Sequence, residues 1–401
     1  MTTSVQSTNP VVHTLDNIQN ICDQDVIFLL GKTRAGKSTF INDTLGERVL
    51  DSTASMTSDT VAISYVQVSF DDNRLVNLVD TIGFGGSYLE HTRPDLAARY
   101  VSILHSSEKE ATIKAFLYLI DITDAAGLDQ ENQKNLDFLA ALVGEEVFSS
   151  VVFVTTKWGS PADEDTREVQ EERHSQWERI LLDSFPGSRL VRLDDQTSRR
   201  SAKKLEANPA LAEAEKVRYR ANTLNVIRLA LERPATRPTQ LEQEVNGPEG
   251  ANMTIGDTSL GQVVKMQVQQ QAASLAASGQ ADAANALLGY EADIARLRVD
   301  DLKLAEKARE AGARVLSLCP SLGAELGELF YRYGKVAMEV VSAVAPRARR
   351  AAIMETFNNG VERTVQMATH GAQQSGIVGG VLAAAAGAAA TVLTSVKAAS
   401  P

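Results

Sequence analysis

The sequence predicts an α/β fold: a mostly parallel sheet with one antiparallel edge strand and helices on both faces, followed by an all-α C-terminal extension. Three observations carry this. From residue 25 to residue 233, short apolar runs of buried-strand type alternate with longer stretches of helical periodicity. Two β-rich runs, 61–70 and 74–79, meet at Asp71-Asp72-Asn73, a turn signal that joins antiparallel strands. Beyond residue 262 strand signals stop, and Ala, Leu, Gln, Glu and Arg recur at helical spacing.

In chain order, residues 1–24 are polar and read as a flexible leader, without the basic start and apolar core of a signal peptide. Residues 26–30, Val-Ile-Phe-Leu-Leu, form a buried strand that runs into a Gly-rich turn and a helix start. After the hairpin, residues 115–120 and 151–155 are two more buried strands, with a helix over 130–143 between them. A helix over 170–182, a last strand over 189–193 and a helix reaching about residue 232 close the α/β part. The segment 234–261 opens with Pro234 and Pro238 and contains Gly247, Pro248 and Gly250, so it reads as a linker. Residues 262–375 read as the helical extension, and 376–396 as a Gly/Ala-rich apolar segment.

The 401 residues carry 40 Lys+Arg against 51 Asp+Glu, a net charge of −11, and only 5% aromatic residues. An acidic chain poor in stacking rings argues against a nucleic-acid partner. Residues 251–401 are near-neutral, with 14 basic and 13 acidic side chains, so the acidic excess lies in the α/β part. Two distant cysteines, Cys22 and Cys319, make neither a disulfide framework nor a Cys-rich zinc site, which suits a reducing, cytoplasmic compartment.

Chemistry concentrates in Gly31-Lys-Thr-Arg-Ala-Gly36-Lys37-Ser38-Thr39, which matches the phosphate-loop pattern in strand–loop–helix context. Its glycines let backbone N–H groups approach phosphates, and the following helix N-terminus favours an anion. Lys37 would neutralise β/γ charge and Ser38 would ligate Mg²⁺, with Gly31, Arg34, Ala35, Gly36 and Thr39 completing the loop. Downstream, Asp80-Thr81-Ile82-Gly83 follows a strand: Asp80 suits the Mg²⁺ shell, and the Gly83 N–H suits a γ-phosphate. Between them the Ser/Thr-rich stretch 52–60 suits a switch loop whose hydroxyl reaches Mg²⁺ only in the triphosphate state. Thr57 is the first choice there, with Thr53 and Thr60 as rivals. Thr155-Thr156-Lys157-Trp158-Gly159 ends a strand where a base would lie, with the Lys157 stem able to cover it.

These motifs together resemble the GIMAP-type immunity-associated GTPases, most closely their fungal relatives. The resemblance rests on the run from Gly31 to Asn42, Ser55-Met-Thr57, Asp80-Thr-Ile-Gly-Phe84, Thr155-Thr-Lys-Trp158, Glu172-Arg173, Trp177 and the 197–202 segment, about half of the chain. It implies a P-loop G domain over 25–233, binding of GTP and GDP with Mg²⁺, and self-association through the G-domain face. Gly159 stands where the family's guanine-reading Asp falls, which leaves the choice between guanine and adenine open. Phe84 stands where related enzymes carry a water-positioning Gln, so hydrolysis is expected to be slow. Arg34 and Arg93 are the arginines whose location suits donation to a second protomer, and no catalytic residue is assigned. Two alternatives remain: a non-hydrolysing or base-unselective nucleotide scaffold, and an effector that contacts a membrane through residues 376–396. That segment has 21 residues without a charge, and Gly376 and Gly380 form a small-xxx-small pair.

Overall fold

The computed structural model divides the chain into two units, residues 1–299 and 300–401. It describes residues 11–15, 18–21, 24–50, 63–69, 74–84, 93–105, 113–124, 129–158, 164–193, 209–248, 250 and 253–299, all within the first unit. Residues 300–401, and with them the apolar segment 376–396, lie outside the described residues.

Seven strands form one sheet in the order β1-β3-β4-β2-β5-β6-β7. They are β1 (Val12–Thr14), β2 (Asp25–Gly31), β3 (Ser64–Ser69), β4 (Leu75–Asp80), β5 (Ile113–Asp121), β6 (Val151–Thr156) and β7 (Arg189–Arg192). Only β3 runs against the rest: it pairs antiparallel with β4 and β1, whereas β4, β2, β5, β6 and β7 are mutually parallel. The edge is therefore β1, inside the stretch read from the sequence as a leader. Its three residues pair with Ser64–Val66, and the backbone N–H of Leu15 continues the contact to the Ile63 carbonyl at 2.9 Å. Such a short run carries too little periodicity to be seen in sequence.

Alternation along β2 distributes the core. Ile27 and Leu29 face a cluster with Phe40 and Ile41 of α1 (Lys37–Leu45) and with Leu224 and Ile227 of α5 (Pro209–Leu231). Phe28 points the other way, 6.4 Å from the Tyr100 ring of α2 (Arg93–Leu104) and 6.0 Å from Phe116. Phe138, on α3 (Gln130–Val143), packs edge-on to Tyr100 at 5.8 Å. The helix α3 starts where Asp129 accepts from the Asn132 N–H at 2.7 Å, at the residue its pattern predicted. The helix α4 (Glu164–Ser184) runs longer than the 170–182 read from the sequence.

Residues 234–261, set apart in sequence by Pro and Gly, carry the helix α6 (Gln240–Asn246). Thr239 and Glu242 form a capping box at its start, and Leu241 and Val245 are buried. Next come α7 (Ser259–Ala277) and α8 (Ala281–Ala295), an antiparallel pair packed on α2 and α3. Gln267 of α7 donates to the Lys134 carbonyl at 2.9 Å, and the Tyr290 hydroxyl of α8 donates to the buried Asp95 carboxylate at 2.5 Å. Among the described residues no helix is long and apolar enough to cross a membrane.

The Tyr290 bond anchors α8 to the first turn of α2. Tyr290→Phe keeps the ring and removes the donor, so urea unfolding of the full chain should show a loss of about 1–3 kcal/mol.

Candidate functional site

Strand order reverses at β2: the chain goes to β3 and β4 on one side and returns to β5 on the other. In open α/β sheets the crevice beyond the strand ends at such a point is the ligand site. Here the loop 31–36 fills it and leads directly into α1. Gly36 sits at the helix start with φ 102°, a conformation that favours glycine, and as the N-cap residue it has no side chain to cap this end. The N-terminal amides of α1 are thereby presented to the crevice.

Lys37 is 6% exposed, and its ammonium lies inside the loop, 3.1 Å from both the Gly31 and Lys32 carbonyls. Burial lowers its pKa to about 8, against a partial rise from the Asp80 carboxylate. Asp80, the last residue of β4, is raised by burial, while Lys37 and the Ser38 hydroxyl pull it back. Ser38 donates to one carboxylate oxygen at 2.7 Å, and the other oxygen is buried with no partner among the described residues. A buried, half-satisfied carboxylate bonded to a serine hydroxyl at the head of a helix is the donor set that a hard cation and a polyphosphate would complete.

The segment after β4 lies directly on this loop. The Thr33 N–H donates to the Phe84 carbonyl at 2.9 Å, and the Phe84 N–H donates to the Gly31 carbonyl at 3.2 Å. Gly83 is required at the crossing, since a Cβ there would stand 2.5 Å from the Thr33 backbone. The hydroxyl of Thr33 is buried beside it without a hydrogen-bond partner among the described residues. Phe84 itself turns inward, 1% exposed, with its ring 5.2 Å from Phe138.

Structure also brings in residues that motif reading left idle. Thr156 donates its hydroxyl to the Ala35 carbonyl at 2.9 Å and tethers the 155–159 loop to the phosphate loop. Asp121, at the end of β5, accepts from the Lys157 ammonium at 2.5 Å, and Asp124 accepts from Lys32 at 2.9 Å. Lys157 adopts φ 61° and keeps its side chain 42% exposed, as a stem lying over a ligand needs. Trp158 is buried against the Arg192 guanidinium, 3.7 Å above its ring, and against His174 at 5.3 Å. Burial lowers the His174 pKa. Adjacent β-strand ends bring these residues together, and no spacing rule within the sequence reports such a contact.

Gly31 thus ends β2; Arg34, Ala35, Gly36, Lys37, Ser38 and Thr39 form the turn and first helical residues after it, Asp80 and Gly83 the end of neighbouring β4 and the segment after it, and Lys157 the residue after β6. Thr57, its rivals Thr53 and Thr60, and Gly159 lie outside the described residues, as does the 197–202 segment. Arg93 departs from its sequence reading as a group offered to a second protomer. It pairs with Glu131 and donates to Asn135 at 2.8 Å, which ties α2 to α3 within one chain.

The AIG1 family matches the chain over residues 25–227. A comparison with the curated proteins gives no match. Among solved structures, Toc33 from Arabidopsis thaliana in complex with Mg2+ and GMPPNP is 18% identical, with a TM-score of 0.36 and coverage of 54% of this chain and 88% of that one. Toc33 in complex with GDP and Mg2+ is 18% identical, with a TM-score of 0.33 and coverage of 43% and 72%.

The crossing at Gly83 gives a direct test. Gly83→Ala forces the Thr33 backbone away, so unfolding of the full chain should show a loss of about 1–3 kcal/mol.

Proposed function

Because the chain belongs to the AIG1 family, we propose that it is a Mg²⁺-dependent GTP- and GDP-binding switch that hydrolyses GTP slowly and self-associates through its G-domain face. One observation carries this reading: the Lys37 ammonium and the Asp80 carboxylate, both buried, converge on an uncapped helix start. Burying two charges is costly, and two carbonyls and one hydroxyl offset the cost only in part. A polyphosphate with its cation completes the set.

The roles follow from position. Amides of the 34–38 stretch would take phosphate oxygens, and the Lys37 ammonium, now on the loop carbonyls, would neutralise β- and γ-phosphate charge. Ser38 and Asp80 would hold Mg²⁺, which would supply charge neutralisation for the phosphates, and Thr57 would supply the switch hydroxyl. Lys157, paired with Asp121, would lay its stem over the base. Thr156 keeps base loop and phosphate loop in register. The inward Phe84 favours slow turnover, because an apolar side chain cannot orient water. That same residue favours a second reading, a scaffold that binds nucleotide without hydrolysing it.

Competition on the full chain tests both readings, with a fluorescent GDP analogue and Mg²⁺ displaced in turn by GTP, GDP and ATP. Displacement by guanine nucleotides alone supports a GTP switch, and equal displacement by ATP replaces it with a base-unselective binder. Multiple-turnover phosphate release that stays at the no-protein background would select the scaffold.

Lys37→Ala should weaken GDP binding about 10- to 100-fold in that assay, the worth of one charged hydrogen-bonding group. The pH dependence has two limbs. A phosphate favours charged Lys37, whose pKa in the free protein is about 8, so binding takes up a proton above that pH. Affinity should therefore fall about tenfold per unit as pH rises beyond 8, and Lys37→Ala should flatten this limb. Asp80 must be ionised to hold Mg²⁺ and its pKa is raised, so affinity should also fall as pH drops through that raised value.

A further inference from the structure

We infer that Thr33 reads the third phosphate: its hydroxyl would donate to the γ-phosphate of a bound nucleoside triphosphate and so set the preference for triphosphate over diphosphate. The inference rests on the nucleotide-binding reading above and adds to it a side chain that distinguishes the two nucleotide states. The Thr33 hydroxyl oxygen is buried and has no hydrogen-bond partner among the described residues. Folded proteins rarely leave such a group unmet, because its lost hydration goes uncompensated. Valine, of nearly the same shape, would fill this space without that cost, so packing does not account for the hydroxyl.

Backbone contacts fix where this hydroxyl stands. Lys32 and Phe84 pair as a parallel bridge, and the Thr33 N–H donates to the Phe84 carbonyl at 2.9 Å. On the other side the Ala35 N–H donates to the Lys32 carbonyl at 3.1 Å, which turns the loop directly after Thr33. A β-branched side chain has few χ1 choices, so a backbone held on both sides also holds the hydroxyl. That oxygen faces Gly83, since a Cβ built there would stand 2.6 Å from it. The Gly83 N–H is the backbone group that suits a γ-phosphate, so two neighbouring donors, one from each loop, address the same end of the nucleotide. The oxygen is covered, and a phosphate would reach it only as Gly83 shifts to present its own N–H. A diphosphate ends one group short and offers that movement nothing in return. Buried Phe84 brings no polar side chain to this end, so the phosphate loop supplies what the post-β4 segment lacks.

Calorimetric titration of the nucleotide-free full chain with Mg²⁺ and either GDP or GMPPNP, a triphosphate that is not turned over, tests this. Thr33→Val keeps the branch and removes the hydroxyl. It should bind GDP within about twofold of the wild type and GMPPNP about tenfold more weakly, the worth of one hydrogen bond to a charged oxygen. Thr33→Ala should show the same selective loss, and Thr33→Ser, which keeps the hydroxyl, should keep the wild-type ratio. Without nucleotide, Thr33→Val should melt no lower than the wild type, because a methyl replaces an unmet hydroxyl. An unchanged ratio of GMPPNP to GDP affinity in the Val and Ala variants would overturn the role of Thr33. A lower melting temperature of nucleotide-free Thr33→Val would overturn it too, by showing the hydroxyl to be bonded within the fold. Failure of the wild type to bind either nucleotide would instead overturn the reading beneath it.

Discussion

The carbonyl of Gly31 is the junction on which the site depends. It accepts from the Lys37 ammonium on one side and from the Phe84 N–H on the other, so phosphate loop and post-β4 loop close over one oxygen. Both partners are arranged by the sheet. Pairing of β2 with β4 puts Asp80 beside Leu29, and the Thr81 hydroxyl donates to the Leu29 carbonyl at 2.6 Å as the chain leaves the strand. The Lys37 ammonium and the start of the post-β4 segment therefore meet at a single acceptor.

From Phe84 the linkage continues as packed rings. Phe84 touches Phe138 of α3, Phe138 touches Tyr100 of α2, and α2 and α3 carry α7 and α8. Asp95 and Lys134, which receive Tyr290 and Gln267, lie on those same two helices. The helical pair is thus built onto α2 and α3, the same two helices that hold the ring stack from Phe84.

Much of this was legible in the sequence because local rules sufficed. The buried strand 26–30, the Gly-rich loop, the helix over 130–143 and the antiparallel hairpin each follow from periodicity, capping or turn chemistry within a dozen residues. The loop residues from Gly31 to Thr39 were legible for the same reason, since binding phosphate with backbone amides requires those residue types in that order. The edge strand β1 was not legible, because three residues reveal no alternation. Nor was α6, because Pro and Gly around residues 234–250 suggest a break, whereas Thr239 caps a short helix between them. Nor were the partners of Arg93 legible, because Glu131 and Asn135 stand on another helix about 40 residues away in sequence.

By itself, then, the sequence determined the α/β class, the phosphate loop and the identity of its ammonium, hydroxyl and carboxylate, because each is set by short-range covalent order. Tertiary structure alone decided the rest. It placed Thr156 on the Ala35 carbonyl, Asp121 on Lys157, the Gly83 crossing on Thr33, and Arg34 in left-handed backbone. Those contacts join residues 36 to 121 positions apart or depend on a backbone angle, and a linear pattern encodes neither.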